Sequence, residues 1–291
     1  MQHGTKSNIV KVDVMCSFMA AGYCTHTERV TIRDGSLQTV RFPALFALIQ
    51  HPRLGYILFD TGYTERFFHE TSKWPFSLYA RMTPVFYKTE ESAAYQLRQQ
   101  GIAPEEIGYI ILSHFHADHV AGLQDFPNAR FLYSQEAYDA VRHRSGWKAV
   151  IAGYLPGLLP SDFEARSQPF DETQRIDLPE GFPFSRGLDI LGDGSLIAVD
   201  VPGHATGQIG LLLSTGSETY FLCADAVWSS RAYREHLLPH RLAGIIMADR
   251  HQYQESFARI YQLHKQYPDI RIIPSHCSEV WEELVPRGGR S

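Results

Sequence analysis

Seven consecutive residues, Ser113-His114-Phe115-His116-Ala117-Asp118-His119, carry three imidazoles and one carboxylate. Imidazole nitrogen and carboxylate oxygen are the donors that Zn²⁺ and similar divalent metals accept. Three more groups of the same kinds stand singly further on: His204 in Pro202-Gly203-His204-Ala205-Thr206-Gly207, Asp225 in Ala224-Asp225-Ala226, and His276 in Pro274-Ser275-His276-Cys277. Such a set can activate water and polarise a carbonyl or phosphoryl oxygen through bound metal. No G-x-S-x-G elbow points to a serine nucleophile instead.

Each of these residues follows an apolar run that must position it. Tyr109-Ile110-Ile111-Leu112 predicts a buried strand ahead of the motif, and the residues after Phe115 a turn into a short helix. The run 196–201 before His204 is the second arm of a hairpin turned at Gly192-Asp193-Gly194-Ser195. The runs 220–223 and 271–273 precede Asp225 and His276. Strand ends on one edge of a core can converge, and four separate segments obey the same placement rule. Tyr56-Ile57-Leu58-Phe59 is a further strand ending in Asp60-Thr61-Gly62. There Asp60 either caps a turn or braces a metal ligand.

The remaining chain is less sharply patterned. Alternation over 9–14 predicts a first half-buried strand, and 16–26 a mixed loop carrying Phe18, Met19 and Tyr23. That loop is either packed or forms an apolar wall over the metal site. The strand 40–50 contains Pro43, which marks an edge or a bulge. Aromatics crowd 67–87, as a core helix, a substrate lid or a dimer contact would require. Helices are expected at 92–100, stopped by Gly101, and at 255–266. Between 145 and 187 Gly, Pro and aromatics, Tyr154 among them, break the pattern, as in a lid or insertion between two halves. Residues 1–283 are expected to form a single domain. Leu284-Val285-Pro286-Arg287-Gly288 resembles a thrombin site, so 284–291 is set aside as an expression-tag remnant.

Composition narrows the partners. With 44% apolar and 20% charged residues the chain has ordinary globular composition. A net charge of −5, with no basic block longer than three, argues against nucleic acid. Residues 1–8 lack the apolar core of a signal peptide, and no apolar run approaches a membrane span, so no membrane partner is expected. Four scattered cysteines without a C-x-x-C pair fit reduced thiols in the cytoplasm.

The Asp60-Thr61-Gly62 turn, the His-x-His-x-Asp-His motif, the Pro-Gly-His-x-x-Gly turn at His204, then Asp225 and His276, resemble in order and spacing the metallo-β-lactamase superfamily. The resemblance covers most of the chain. It implies an α/β fold, a four-layer αββα sandwich of two mixed β-sheets flanked by helices, with a binuclear metal site at one edge. It implies His114, His116 and His204 on one ion, Asp118, His119 and His276 on the other, and Asp225 bridging two divalent metals, zinc by expectation. It also implies hydrolysis by a metal-bridging hydroxide, with Asp118 passing a proton to the leaving group. Asp118, Asp225 and the hairpin before His204 look most like the N-acyl homoserine lactonases. The expected substrate is therefore a small lactone or ester, most simply an N-acyl homoserine lactone. A thioesterase or phosphotriesterase-like enzyme is the alternative, and a non-hydrolytic metal-binding protein stands behind both. Three positions depart from the lactonase pattern: Trp228 in place of a common Tyr, Ala224 in place of a common Gly, and Cys277 where Asp is frequent. Trp228, Phe18 and Met19 are the expected substrate contacts.

Overall fold

The computed structural model describes residues 9–240 and 247–285. The start at 1–8 and the tail from Pro286 onward lie outside the described residues.

Each half of the chain builds one sheet. β1 (Met15–Thr27), β2 (Thr39–His51), β3 (Gly55–Phe59), β4 (Val85–Phe86), β5 (Ile107–Ile111), β6 (Arg130–Tyr133) and β7 (Ser167–Pro169) form the first, in the order β4-β1-β2-β3-β5-β6-β7. β8 (Arg175–Asp177), β9 (Arg186–Asp189), β10 (Ile197–Asp200), β11 (Ile209–Ser214), β12 (Thr219–Ala224) and β13 (Ile270–Pro274) form the second, in the order β13-β12-β11-β10-β9-β8. Both are mixed: β3, β5, β6 and β7 run parallel beside antiparallel β1 and β2, and β12–β13 is the parallel pair of the second sheet.

Strand periodicity of two creates the layers. In β2, Leu45, Ala47 and Ile49 enter the core between the sheets, while Ala44, Phe46 and Leu48 enter the core under the outer helices of the first sheet. In β12, Tyr220 and Leu222 face the inter-sheet core, and Phe221 and Cys223 the helix Arg250–Gln266 behind the second sheet. Strands buried on both faces read as continuous apolar runs. The result is helices, sheet, sheet, helices.

The structure departs from the sequence reading at the first strand and at the carboxyl end of the fold. The first strand does not lie at 9–14. It is β1, thirteen residues that cover the stretch expected as a loop. Pairing with β2 breaks register between Ala20 and Tyr23, and Pro43 sits opposite Tyr23 at that irregularity. A strand buried on two faces and interrupted by a bulge shows neither clean alternation nor a clean run. The segment 145–187 runs between the two sheets and carries β7 at the edge of one and β8 at the edge of the other. Finally, Leu284 closes the helix Ser278–Leu284 and Val285 is buried in the inter-sheet core, so the fold includes two residues assigned to the tag.

Topology places the candidate ligands. β3 and β5 are parallel, so Asp60 and the 113–119 loop leave the first sheet at the same edge. β10 and β12 are both antiparallel to β11, and β13 is parallel to β12. Their carboxyl ends therefore point one way, towards His204, Asp225 and His276. Two backbone hydrogen bonds lock the sheets together there: Ile209 N–H donates to Ser113 O (3.1 Å) and Leu45 N–H to Ser275 O (3.0 Å).

Candidate metal centre

The structure brings all seven candidate ligands together at this edge. They fall into two groups, His114, His116, His204 and Asp225, and Asp118, His119 and His276, with the donor atoms in each within 4.8 Å of one another. Asp225 touches both. Its Oδ2 lies 3.1 Å from His204 Nε2 and 3.0 Å from His276 Nε2, and its Oδ1 lies 3.4 Å from His119 Nε2. Asp118 Oδ2 is 3.2 Å from His276 Nε2 and 3.7 Å from His119 Nε2. His116 Nδ1 approaches His204 Nε2 at 2.8 Å.

Outer hydrogen bonds decide which nitrogen each ring turns inward. His119 Nδ1 donates to Asp60 Oδ2 at 2.7 Å, which leaves Nε2 facing Asp118 and Asp225. His276 Nδ1 donates to the Pro43 carbonyl at 2.8 Å, which leaves Nε2 facing the same two carboxylates. Asp60 is fully buried and also accepts from the Ser113 N–H and hydroxyl, at 2.9 and 2.8 Å. Of the two roles open to it, bracing is therefore the one with contacts. Fixing the tautomer from outside is how metal-binding imidazoles are oriented.

Backbone conformation tightens the same edge. Asp60 and Ala224, each at the end of a strand, have φ of +60° and +48°. A non-glycine residue there costs roughly 1–2 kcal/mol. Ala224 bears that strain here without the freedom a glycine would have. Cys277 Sγ accepts from the Ser230 N–H at 3.2 Å, tying the His276 loop to the helix Ser230–Arg234.

Electrostatics divides the cluster. Burial, then the neighbouring His119 and His116, drives His114 far below the usual imidazole range. Burial and His204 push His116 down to about 3. Both are neutral near pH 7 and keep a free lone pair. Burial would raise Asp118, but His119 and His276 hold it at about 2. Asp225 is likewise held well below the carboxylate range by His276, His119 and His204 against the effect of burial.

These residues fit a divalent cation. His114 Nε2, His119 Nε2, His204 Nδ1 and Asp225 Oδ1 are buried without a hydrogen-bond partner. An unpaired buried polar atom costs about 1–3 kcal/mol. Several such atoms on side chains of one cluster, of the types metals accept, make up a donor set suited to a divalent cation.

Beside the cluster opens a cavity of about 620 Å³, and His116, Asp118, His204, Asp225 and His276 reach its wall. Tyr63, Tyr79, Met82, Val150, Ile151 and Trp228 supply apolar surface. Trp228 is buried and meets His204 edge to face, ring centroids 5.5 Å apart. Phe18 and Met19 do not line the cavity. As neighbours on β1 they point to opposite faces, Phe18 into the inter-sheet core and Met19 into the core under the helices. Tyr154 is buried in that outer core too, while the glycine before it reaches the site. Tyr63 was legible in principle, because it directly follows the Asp60 turn. Gly153 carries no sequence signal of its own.

Gly153 has φ +64°, and a Cβ there would lie 2.5 Å from His116 Cδ2 and 2.8 Å from its Nε2. The imidazole ring is packed against the bare backbone. Gly153→Ala is expected to displace His116 and to weaken metal binding about tenfold or more, as when an outer support of a ligand is lost. Zinc titration of chelated protein reads this directly, and unchanged affinity would show that His116 does not need the space.

Comparison with known proteins agrees with this architecture. The probable metallo-hydrolase Rv2300c of Mycobacterium tuberculosis is 26% identical over 212 residues, 69% of this chain and 64% of that protein. The chain thus spans less than two thirds of that relative's length. The N-acyl homoserine lactonase AttM of Azorhizobium caulinodans is 26% identical across 75% of this chain and 78% of its own. An N-acyl homoserine lactone hydrolase structure, with the product N-hexanoyl-L-homoserine bound at its catalytic metal center, superposes with a TM-score of 0.67 at 20% identity, covering 96% of this chain and 98% of that one. The dizinc quorum-quenching lactonase AidC superposes at 0.61 and 16% identity, over 92% and 90%. A family model matches residues 41–267, a span that contains every candidate ligand except His276, and the chain belongs to the metallo-beta-lactamase superfamily.

Proposed function

We propose that the protein is a metal-dependent hydrolase that opens the ring of N-acyl homoserine lactones. His114, His116 and His204 would hold one divalent ion, Asp118, His119 and His276 a second, with Asp225 shared and zinc the expected metal. The observation that carries this reading is the placement of both ligand groups on the wall of one largely apolar cavity. Bound there, divalent metal supplies Lewis acidity and lowers the pKa of water towards neutrality.

The chain's own residues do the rest. Tyr79, Met82, Val150 and Ile151 give an acyl chain apolar surface and exclude water around it. Asp118 is ionised and faces the cavity, so its carboxylate can take a proton from the attacking water and return it to the leaving alkoxide. Asp60 and the Pro43 carbonyl keep His119 and His276 in the orientation the cluster needs. The four cysteines are free thiols, which supports a reducing, cytoplasmic setting. Among the described residues no helix is long and apolar enough to cross a membrane.

Trp228 favours the second reading, a thioesterase or phosphotriesterase-like enzyme. It stands beside His204 where a phenol would donate to a carbonyl oxygen, and an indole donates only through Nε1. If lactone opening is the reaction, Trp228 acts as wall, and Trp228→Tyr should alter lactone kcat/KM by about tenfold or less. A larger gain on lactones, with a loss on another ester, would transfer the assignment to that ester. The test of the proposal is kcat/KM of the zinc-loaded protein on acyl homoserine lactones, a thioester and a phosphotriester. Lactone rates no higher than those of the metal-free control would reject it.

A further inference from the structure

The cavity mouth is flanked by two segments, 72–82 and 142–151. Each displays large apolar side chains to solvent: Trp74 is 67% exposed and Met82 62%, Trp147 51% and Ile151 68%. Trp74 and Trp147 meet edge to face at 5.1 Å, which joins the segments into one surface. On the helix Gly146–Ile151, Trp147 and Ile151 are four residues apart and share a face. Met82 and Ile151 also line the cavity, so the apolar strip is continuous from open surface to interior.

The charge of these segments is opposite to that of the chain. The protein has 32 acidic and 27 basic residues, yet the two segments contain Lys73, Arg81, Arg142, Arg144 and Lys148 and no Asp or Glu. All five are exposed. Arg142 pairs with Asp139, and Arg144 donates to the Ala140 carbonyl. Lys73, Arg81 and Lys148 pair with no carboxylate among the described residues.

We infer that the cavity mouth docks on an anionic lipid bilayer, with Trp74, Trp147, Met82 and Ile151 in the interfacial layer and the cations against the headgroups. Tryptophan beside Lys and Arg is the composition of a membrane-interface contact, and acidic headgroups over hydrocarbon meet both halves of the patch. A second copy of the chain fits worse, because a two-fold contact through this patch would set its cations against themselves. Among the described residues no helix is long and apolar enough to cross a membrane, and a surface contact needs none. The docking requires no catalysis. If the lactone reading holds, it also lets an acyl substrate pass from bilayer to cavity without leaving apolar surroundings.

Co-sedimentation of the full chain with vesicles tests the inference independently of any hydrolysis. Binding is expected to vesicles of phosphatidylcholine mixed with phosphatidylglycerol at low salt, and not to phosphatidylcholine alone, with a decline as salt rises. Lys73→Gln, Arg81→Gln and Lys148→Gln should each lower the partition coefficient about fivefold, and the triple variant about a hundredfold. Trp74→Ala with Trp147→Ala should remove the binding that persists at high salt. All these positions are exposed, and unchanged far-ultraviolet circular dichroism will show that the variants fold. No pelleting with the anionic vesicles, or a triple variant that binds like the parent, overturns the inference. So does a stable dimer that the tryptophan variant dissociates, which would give the patch to a second copy.

Discussion

Asp225→Ala is expected to empty the site of metal and abolish activity together. Asp225 is the one side chain of the cluster whose oxygens approach imidazoles of both groups, at 3.0, 3.1 and 3.4 Å. It is buried and ionised, facing His276, His119 and His204. Two dications placed side by side repel strongly in a buried site, and a shared carboxylate offsets part of that repulsion. Alanine leaves the imidazoles in place without the anion between them. Loss of an outer support to a metal ligand costs about 10- to 100-fold, so loss of a shared ligand should exceed about a hundredfold in kcat/KM. Metal content should fall in the same preparation. A variant that keeps both metal and rate would show that Asp225 serves neither group.

Asp118→Asn is expected to separate binding from chemistry. Asparagine preserves the shape and a carbonyl oxygen near His276 and His119, but it cannot hold a proton as a carboxylate does. Positioned proton transfer contributes about 10²- to 10⁴-fold, and a fall in kcat of that order, with a smaller change in KM, is the expected result. Metal content is measured on the same sample, because Asp118 also belongs to the second ligand group. An unchanged kcat where chemistry limits the rate would exclude Asp118 as the proton carrier.

The parts of this molecule legible in its sequence are those where one residue's neighbours determine its role. The His-x-His-x-Asp-His motif is local, and the strand before it is an uninterrupted apolar run, so both could be read directly. His204, Asp225 and His276 could be joined to it because each follows the end of a strand and strand ends converge. What failed depends on partners distant in sequence. Phe18 and Met19 fall in 16–26, whose mixed pattern allows either a packed loop or an apolar wall over the site. Only the irregular pairing of β1 with β2 shows that the two side chains enter different cores. The two strands within 145–187 were illegible because each is three residues long, too short for any period to show. Gly153 is needed for what it lacks, and the missing side chain acquires meaning only once His116 is seen against it.

Seven side chains from four loops form the proposed donor set for two metal ions. Elemental analysis of protein purified without chelator, and again after zinc reconstitution, tests it without any substrate. About two divalent ions per chain are expected, falling to none on exhaustive chelation and returning when zinc is restored. Trace metal at most, in protein never exposed to chelator and unable to take up zinc, would contradict it.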